Sequence, residues 1–407
     1  MNGIQVKELY INASCQSLAL FIREIKKGPM FRKRLDFLRV FGIKISIDIS
    51  WLIIAIILSW TLASGYFPYY YPKLSNGTYW TMGIIGMSSL FVCIVLHELG
   101  HALVARHFKL PISQITLFIF GGVAEIKKEP TSPKVEFLMA IAGPIVSIII
   151  AIFMYFLTLL GTRYDWPVII NGVTGYLAII NVILAVFNLI PAFPLDGGRV
   201  LRAFLWWWKK NLGLATKIST QIGRTFGLIL IFLGILIFIM GNLISGIWMV
   251  ILGIFLHRAA SSSQTQFYIE QSLRDEKVLK FMKKDPICVP PDITIEDFIN
   301  DYVYESHHEL YPITKDENLM GYVSLKEIKT VPKDEWSKTT VHKVMIPCTE
   351  FKTVSPTTNA LQAFNLMNQT ESTLLFVVEK KRLVGILNAQ DLFKLISLKF
   401  ELEEPRH

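Results

Sequence analysis

Leu96-His97-Glu98-Leu99-Gly100-His101 lies inside an apolar run from about Trp80 to Ala105. On a helix, residues four apart share a face, so His97 and His101 can both reach one cation. Glu98, beside the first imidazole, is close enough to take a proton from a water on that cation. At bilayer depth an ionised side chain costs on the order of 2.5–3.5 kcal/mol, so such residues are functional candidates. Three of them within five positions need a partner, and a metal ion is the simplest. The bland alternative is a histidine pair satisfied by neighbouring helices.

The surroundings place this stretch in a membrane. Of 407 residues, 52% are apolar and only 18% charged, and mean hydropathy is +0.44. The long apolar runs lie before His257 and charge returns after it, so a soluble part follows a membrane part. Cys15, Cys93, Cys288 and Cys348 share no close spacing and read as unpaired thiols in a reducing compartment. The net charge of +9 is explained by basic flanks of membrane helices rather than by a nucleic-acid partner.

Nine Lys or Arg fall in residues 1–44, a basic cytoplasmic leader with no cleavable signal. Six apolar segments follow, at roughly 47–64, 80–105, 135–160, 168–190, 219–240 and 243–257. Most reach the ~20 residues that a bilayer crossing needs; the last is short. Loop charge alternates. Lys73 and Arg163 stand alone on one side, against Arg106, Lys109, Lys127, Lys128, Lys134, Arg199, Arg202, Lys209, Lys210 and Lys217 on the other. The positive-inside rule then puts both termini in the cytoplasm and His97 to His101 near the cytoplasmic leaflet. Tyr66 to Tyr71, Tyr79 and Trp80 form an aromatic belt on the outer side.

Between the second and third segments, two β-prone runs within Ile112 to Ile126 flank Gly121-Gly122, a hairpin signal. The hairpin is either re-entrant, with an edge free to pair with an extended peptide, or a plain surface hairpin.

A catalytic zinc takes three protein ligands and keeps one position for water, and H-E-x-x-H is a zinc-hydrolase arrangement. The third ligand has one candidate. Asp196, in Pro191-Ala-Phe-Pro194-Leu-Asp196-Gly197-Gly198, is the single carboxylate from Trp166 to Arg224. The prolines break the fourth helix and the glycines permit close backbone approach. Taken alone, an Asp before two glycines is more often a turn or a cap.

His97-Glu98-Leu99-Gly100-His101, the run Asn188 to Gly197, the Gly121-Gly122 hairpin and Ala142-Gly143-Pro144 together resemble the site-2 protease family of intramembrane zinc metalloproteases. The likeness covers roughly residues 40–260. It implies one zinc per protomer on His97, His101 and Asp196, with Glu98 activating water. It also implies that Asn188 engages substrate backbone near the scissile bond.

After a polar linker (259–274) the sequence repeats itself. Lys280-Phe-Met282 recurs as Lys343-Val-Met345, and Gly321-Tyr-Val-Ser-Leu-Lys-Glu327 as Gly385-Ile-Leu-Asn-Ala-Gln-Asp391, offsets of 63 (280 to 343) and 64 (321 to 385). Each unit reads as a lead-in strand, a helix, two strands and a closing helix, the last at Ala389 to Ser397. This resembles a pair of CBS modules, at 275–335 and 336–400, which commonly bind adenine nucleotides (ATP, ADP or AMP). The resemblance offers Asp391 for the ribose hydroxyls, and Asn388 and Ser324 at the phosphate positions. Asn388 replaces a hydroxyl residue and Glu327 an aspartate, so a dimerising module without ligand stays open.

The expected architecture is therefore a polytopic α-helical membrane protein with a small β-hairpin, its protease domain at 45–258, followed by a soluble α/β CBS pair. The expected function is an intramembrane zinc endopeptidase of the cell membrane. It would cleave a single-pass membrane protein among lipids, modulated by CBS domains through which it could also form a homo-oligomer. The rival is a metal-ion transporter or channel gated by CBS modules, which would need no water-activating Glu98.

Overall fold

The computed structural model describes residues 34–118, 121–126, 130–306, 308, 310–347, 353–370, 372–394 and 396. Most of the leader, Cys15, Cys348, Lys127, Lys128 and the end of the closing helix lie outside them. The chain divides into two compact units between Gln266 and Phe267.

Among the described residues six helices, five within the first unit and a sixth that starts in it, are long and apolar enough to cross a membrane. They are α1 (Ser50–Thr61, continuing through a π turn to Tyr70), α2 (Asn76–His107), α3 (Pro133–Arg163), α4 (Val168–Asn188), α6 (Leu212–Ile239) and α7 (Leu243–Leu273). Their starts follow from local chemistry. Ser75, Ser132 and Asn211 accept the orphan amides of Thr78, Val135 and Leu214, and Pro133 opens α3, where its missing N–H costs nothing.

The sixth helix is longer than its apolar segment. Residues 259–273, nearly all of the expected linker 259–274, are helical. No glycine or proline interrupts them, and the hydroxyls of Ser261 and Thr265 donate back to the carbonyls of His257 and Ser261 at 2.9 and 3.2 Å. Such back-bonding satisfies the hydroxyls within the helix.

A four-stranded sheet of order β1-β2-β3-β4 accompanies the helices: β1 (Arg34–Val40), β2 (Ile43–Asp48), β3 (Ile112–Phe118) and β4 (Gly121–Ile126). The hairpin is present, but its glycines are not its turn. Phe118 pairs with Gly121 and Leu117 with Gly122, so both glycines are strand residues. Gly121 holds φ +128°, a strand-end conformation closed to side chains. The first two strands lie largely within the expected leader, and β2 runs parallel to β3. Ile43, Ile45 and Ile115 from the sheet pack on Leu99 and Ala102 of α2. Those two alternate with His97 and His101 along the helix, so the sheet grips one face and leaves the imidazoles the other.

Between α4 and α6 the chain forms a further short amphipathic helix, α5 (Asp196–Lys209), not anticipated from the apolar segments. Arg202, expected among the loop charges, is instead buried at 5% exposure within it.

In the second unit the two repeats share a sheet of order β6-β7-β11-β10-β9, with β5 added at β11 and β8 at β7. The first repeat has β5 (Lys283–Lys284), α8 (Ile295–Phe298), β6 (Leu310–Lys315), β7 (Asn318–Ser324) and α9 (Leu325–Ile328). The second has β8 (Ile346–Pro347), β9 (Thr353–Val354), α10 (Ala360–Gln369), β10 (Leu374–Glu379), β11 (Arg382–Asn388) and helical residues 389–394. Each lead-in strand pairs with the other repeat: β5 with Gly385 and Ile386, β8 with Gly321 and Tyr322. Separate cores form around Phe298, Tyr311 and Ile313, and around Leu375, Val377 and Leu387.

Candidate metal centre

α2, α3 and the start of α5 build the centre. His97 Nε2, His101 Nε2 and Asp196 Oδ2 form a triangle whose three sides are all 3.2 Å. Four ligands about a tetrahedral zinc at 2.0–2.1 Å stand about 3.3 Å apart, so the triangle has the dimensions of one face of a zinc site. Among the described residues this is the one such cluster of His, Cys, Asp and Glu.

The donor chemistry fits a cation as well. Met139 O, 2.7 Å from His101 Nδ1, can only accept, so Nδ1 carries the proton and Nε2 is a bare lone pair. Ser147 Oγ stands 2.9 Å from His97 Nδ1 and holds the orientation of that ring. Two imidazole nitrogens and a carboxylate oxygen then converge on one point, the donor set that a zinc ion takes.

α3 supplies more of this arrangement than the sequence reading assigned to it. Met139, Gly143 and Ser147 follow one another on one helical face. A Cβ on Gly143 would overlap His101 Nε2 and stand 2.6 Å from His97 Nε2, so glycine keeps the ion's place open. One turn earlier, Glu136, fully buried, takes Arg202 Nε at 2.5 Å and so ties α3 to α5. The spacing of Glu136, Gly143 and Ser147 on a helix with no other acid was the available signal.

Asp196 is the first residue of α5, after the break that Pro191 and Pro194 make at the end of α4. The loop folds tightly onto the helix start: a Cβ on Gly198 would lie 2.6 Å from Phe193 Cα. This close approach is what turns the carboxylate back toward α2.

Glu98 borders a cavity of about 320 Å³ together with His97, Gly121, Gly122, Asn188 and Leu195. The rest of its wall is apolar. The proposed base, the hairpin glycines and the asparagine that ends α4 are thus brought to one space beside the metal triangle. Gly122 is the contact: a Cβ there would stand 2.7 Å from Glu98 Cγ.

The nucleotide candidates lie elsewhere, in the second unit. Ser324 and Asn388 occupy equivalent places, each the last residue of a strand capping the helical turn after it. Ser324 closes a capping box with Glu327, and Asn388 Oδ1 accepts Gln390 N at 3.0 Å. Asp391 is exposed.

Comparison with known proteins agrees with both units. The model of Peptidase family M50 matches residues 85–174 and 165–234, and that of the CBS domain matches 277–334 and 341–398. A putative zinc metalloprotease of Synechocystis sp., sll0528, is 33% identical over 88% of this chain and 94% of its own length. Rip3 of Mycobacterium tuberculosis, also named a putative zinc metalloprotease, is 32% identical over 90% of this chain and 93% of its own. The solved site-2 protease of Methanocaldococcus jannaschii is 28% identical, covering 57% of this chain and 95% of that one, with a TM-score of 0.39. With the H-E-x-x-H helix, the opposing aspartate and the tandem repeat all within these matches, the chain belongs to Peptidase family M50, the site-2 protease zinc metalloproteases, and carries a pair of CBS domains.

Proposed function

We propose that this protein cuts a transmembrane segment of a single-pass membrane protein, near its cytoplasmic end, with Glu98 as the proton carrier. The observation that supports it is the cavity in which Glu98, Asn188 and the Gly121–Gly122 strand end adjoin a donor triangle of zinc dimensions.

His97, His101 and Asp196 would hold the ion. Zinc, when bound, supplies Lewis-acid polarisation and lowers the pKa of its water towards ~7. Glu98 accepts a proton from the attacking water and returns it to the leaving amide nitrogen. The apolar wall limits competing water. A substrate helix has to unwind before its carbonyls are open to attack, and β4 offers it a strand to pair with. β4 ends the sheet order, so among the described residues its outer edge has no strand partner. A segment added there reaches Glu98 at Gly122, where Asn188 can bind its backbone.

The loop-charge asymmetry supports cytoplasmic termini, from which the CBS pair would meet cytosolic adenine nucleotide and pass its state to the protease. Burial pushes the Cys288 thiol up, which makes it a slow reporter of sidedness. A Lys380→Cys substitution, on an exposed turn, serves better. Impermeant thiol reagent should label it only after the cells are permeabilised; labelling of intact cells contradicts the orientation.

The substrate class is tested by comparing membrane proteomes of wild-type and Glu98→Gln cells. Single-pass proteins, or their membrane-bound stubs, should accumulate in the variant. Accumulation confined to soluble proteins contradicts the proposal.

A further inference from the structure

α5 connects the ends of two membrane crossings, α4 and α6, yet its 14 residues are too short and too charged to cross. Its inward face carries Arg202, Ala203 and Leu205. Its outward face is aromatic: Phe204, Trp207 and Trp208 are 51%, 68% and 60% exposed. Lys209 and Lys210 end the helix, and Lys209 Nζ lies 4.3 Å from the centre of the Trp208 ring. Tryptophan beside lysine on a short amphipathic helix is the composition of an element lying in the headgroup plane.

A groove of about 270 Å³ opens on this face, lined by Pro133, Lys134 and Phe137 of α3 and by Ala203, Phe204 and Trp207 of α5. Its walls are apolar, and Lys134 is the one charged residue among those that line it. No acidic side chain lines it, because Glu136, the one acid at that end of α3, is turned inward onto Arg202. Apolar walls with Lys134 of α3 among them, and Lys209 and Lys210 at the end of α5, complement an amphiphile with an anionic head.

We propose that this groove binds an anionic phospholipid, with its glycerol and upper acyl chain between Phe137 and Trp207 and its phosphate at Lys134. Phe137 and Ala203, which line the groove, are the chain neighbours of Glu136 and Arg202, so a seated lipid braces the junction of α3 and α5. α5 begins with Asp196, which places the lipid one helix away from the metal centre. A neutral lipid satisfies the walls but leaves the lysines without an anionic partner.

The test uses the full chain in phosphatidylcholine nanodiscs containing a minor fraction of dibrominated lipid, read by quenching of tryptophan fluorescence. Dibrominated phosphatidylglycerol should quench more deeply than dibrominated phosphatidylcholine at the same fraction. Each lysine near an anionic surface is worth about fivefold in preference, so Lys134→Gln should cut that preference about fivefold and Lys134→Arg should keep it. Trp207→Phe with Trp208→Phe, which preserves the apolar wall, should remove most of the excess quenching because the reporters are gone. Equal quenching by the two lipids overturns the proposal in favour of ordinary solvation by the bilayer. An excess that survives both Lys134→Gln and the double Trp substitution overturns it in favour of a site elsewhere.

Discussion

Gly143 of α3 lies directly against Nε2 of His101, with no side chain between the helix backbone and the metal triangle. A methyl group there would overlap the His101 ring and crowd His97 Nε2, so the imidazoles have to shift out of the triangle. Gly143→Ala should therefore lose zinc while the helices persist. Metal analysis of the purified protein, with circular dichroism for the fold, checks this. Ser147→Ala is the milder companion: removing the group that orients His97 should weaken zinc about 10–100-fold. Full occupancy in Gly143→Ala at limiting zinc contradicts the placement of the ion.

Gly122 bears on the base rather than the metal. Its missing Cβ leaves room for Glu98, which a side chain there would displace. Gly122→Ala should keep its zinc and lose turnover by about 10²-fold or more, the worth of a positioned general base. Zinc content and cleavage rate of the same preparation separate the two effects.

Glu136 and Arg202 form a buried pair, at 0% and 5% exposure. Breaking such a pair from one side costs about 3–5 kcal/mol, because the remaining charge stays buried. Glu136→Leu should lower the thermal midpoint sharply, and Glu136→Leu with Arg202→Met should recover part of it. A double variant as unstable as the sum of the two singles contradicts the pairing.

For the CBS pair, full-length protein at millimolar ATP, ADP or AMP should show a raised thermal midpoint that Asp391→Ala removes. Ligand binding to the folded state stabilises it by mass action. No shift with any nucleotide leaves the pair as a dimerisation or docking module.

The parts legible in the sequence were those that local pattern dictates. His97 and His101 share a face because helical geometry requires it, and Asp196 stood out as the lone carboxylate in a long apolar stretch. Gly143 was visible as a residue but not as a cradle, because its role depends on the register between α2 and α3. Arg202 looked like one of several loop cations, and nothing local marks which of them will turn inward to Glu136. β1 was hidden by Arg34, Asp36 and Arg39, charges that read as a leader although they alternate with apolar residues. Gly121 and Gly122 read as a turn because glycine is the natural turn former, whereas here they pair within the strand.

The division of labour between Glu98 and the triangle is the centre of the account, and one paired assay tests it. Purified Glu98→Gln and Asp196→Ala proteins are analysed for zinc and for cleavage of a membrane-protein substrate beside the wild type. Glu98→Gln should hold one zinc per chain and cleave nothing, whereas Asp196→Ala should lose both the metal and the activity. Cleavage at the wild-type rate by Glu98→Gln, or full zinc in Asp196→Ala, would contradict it.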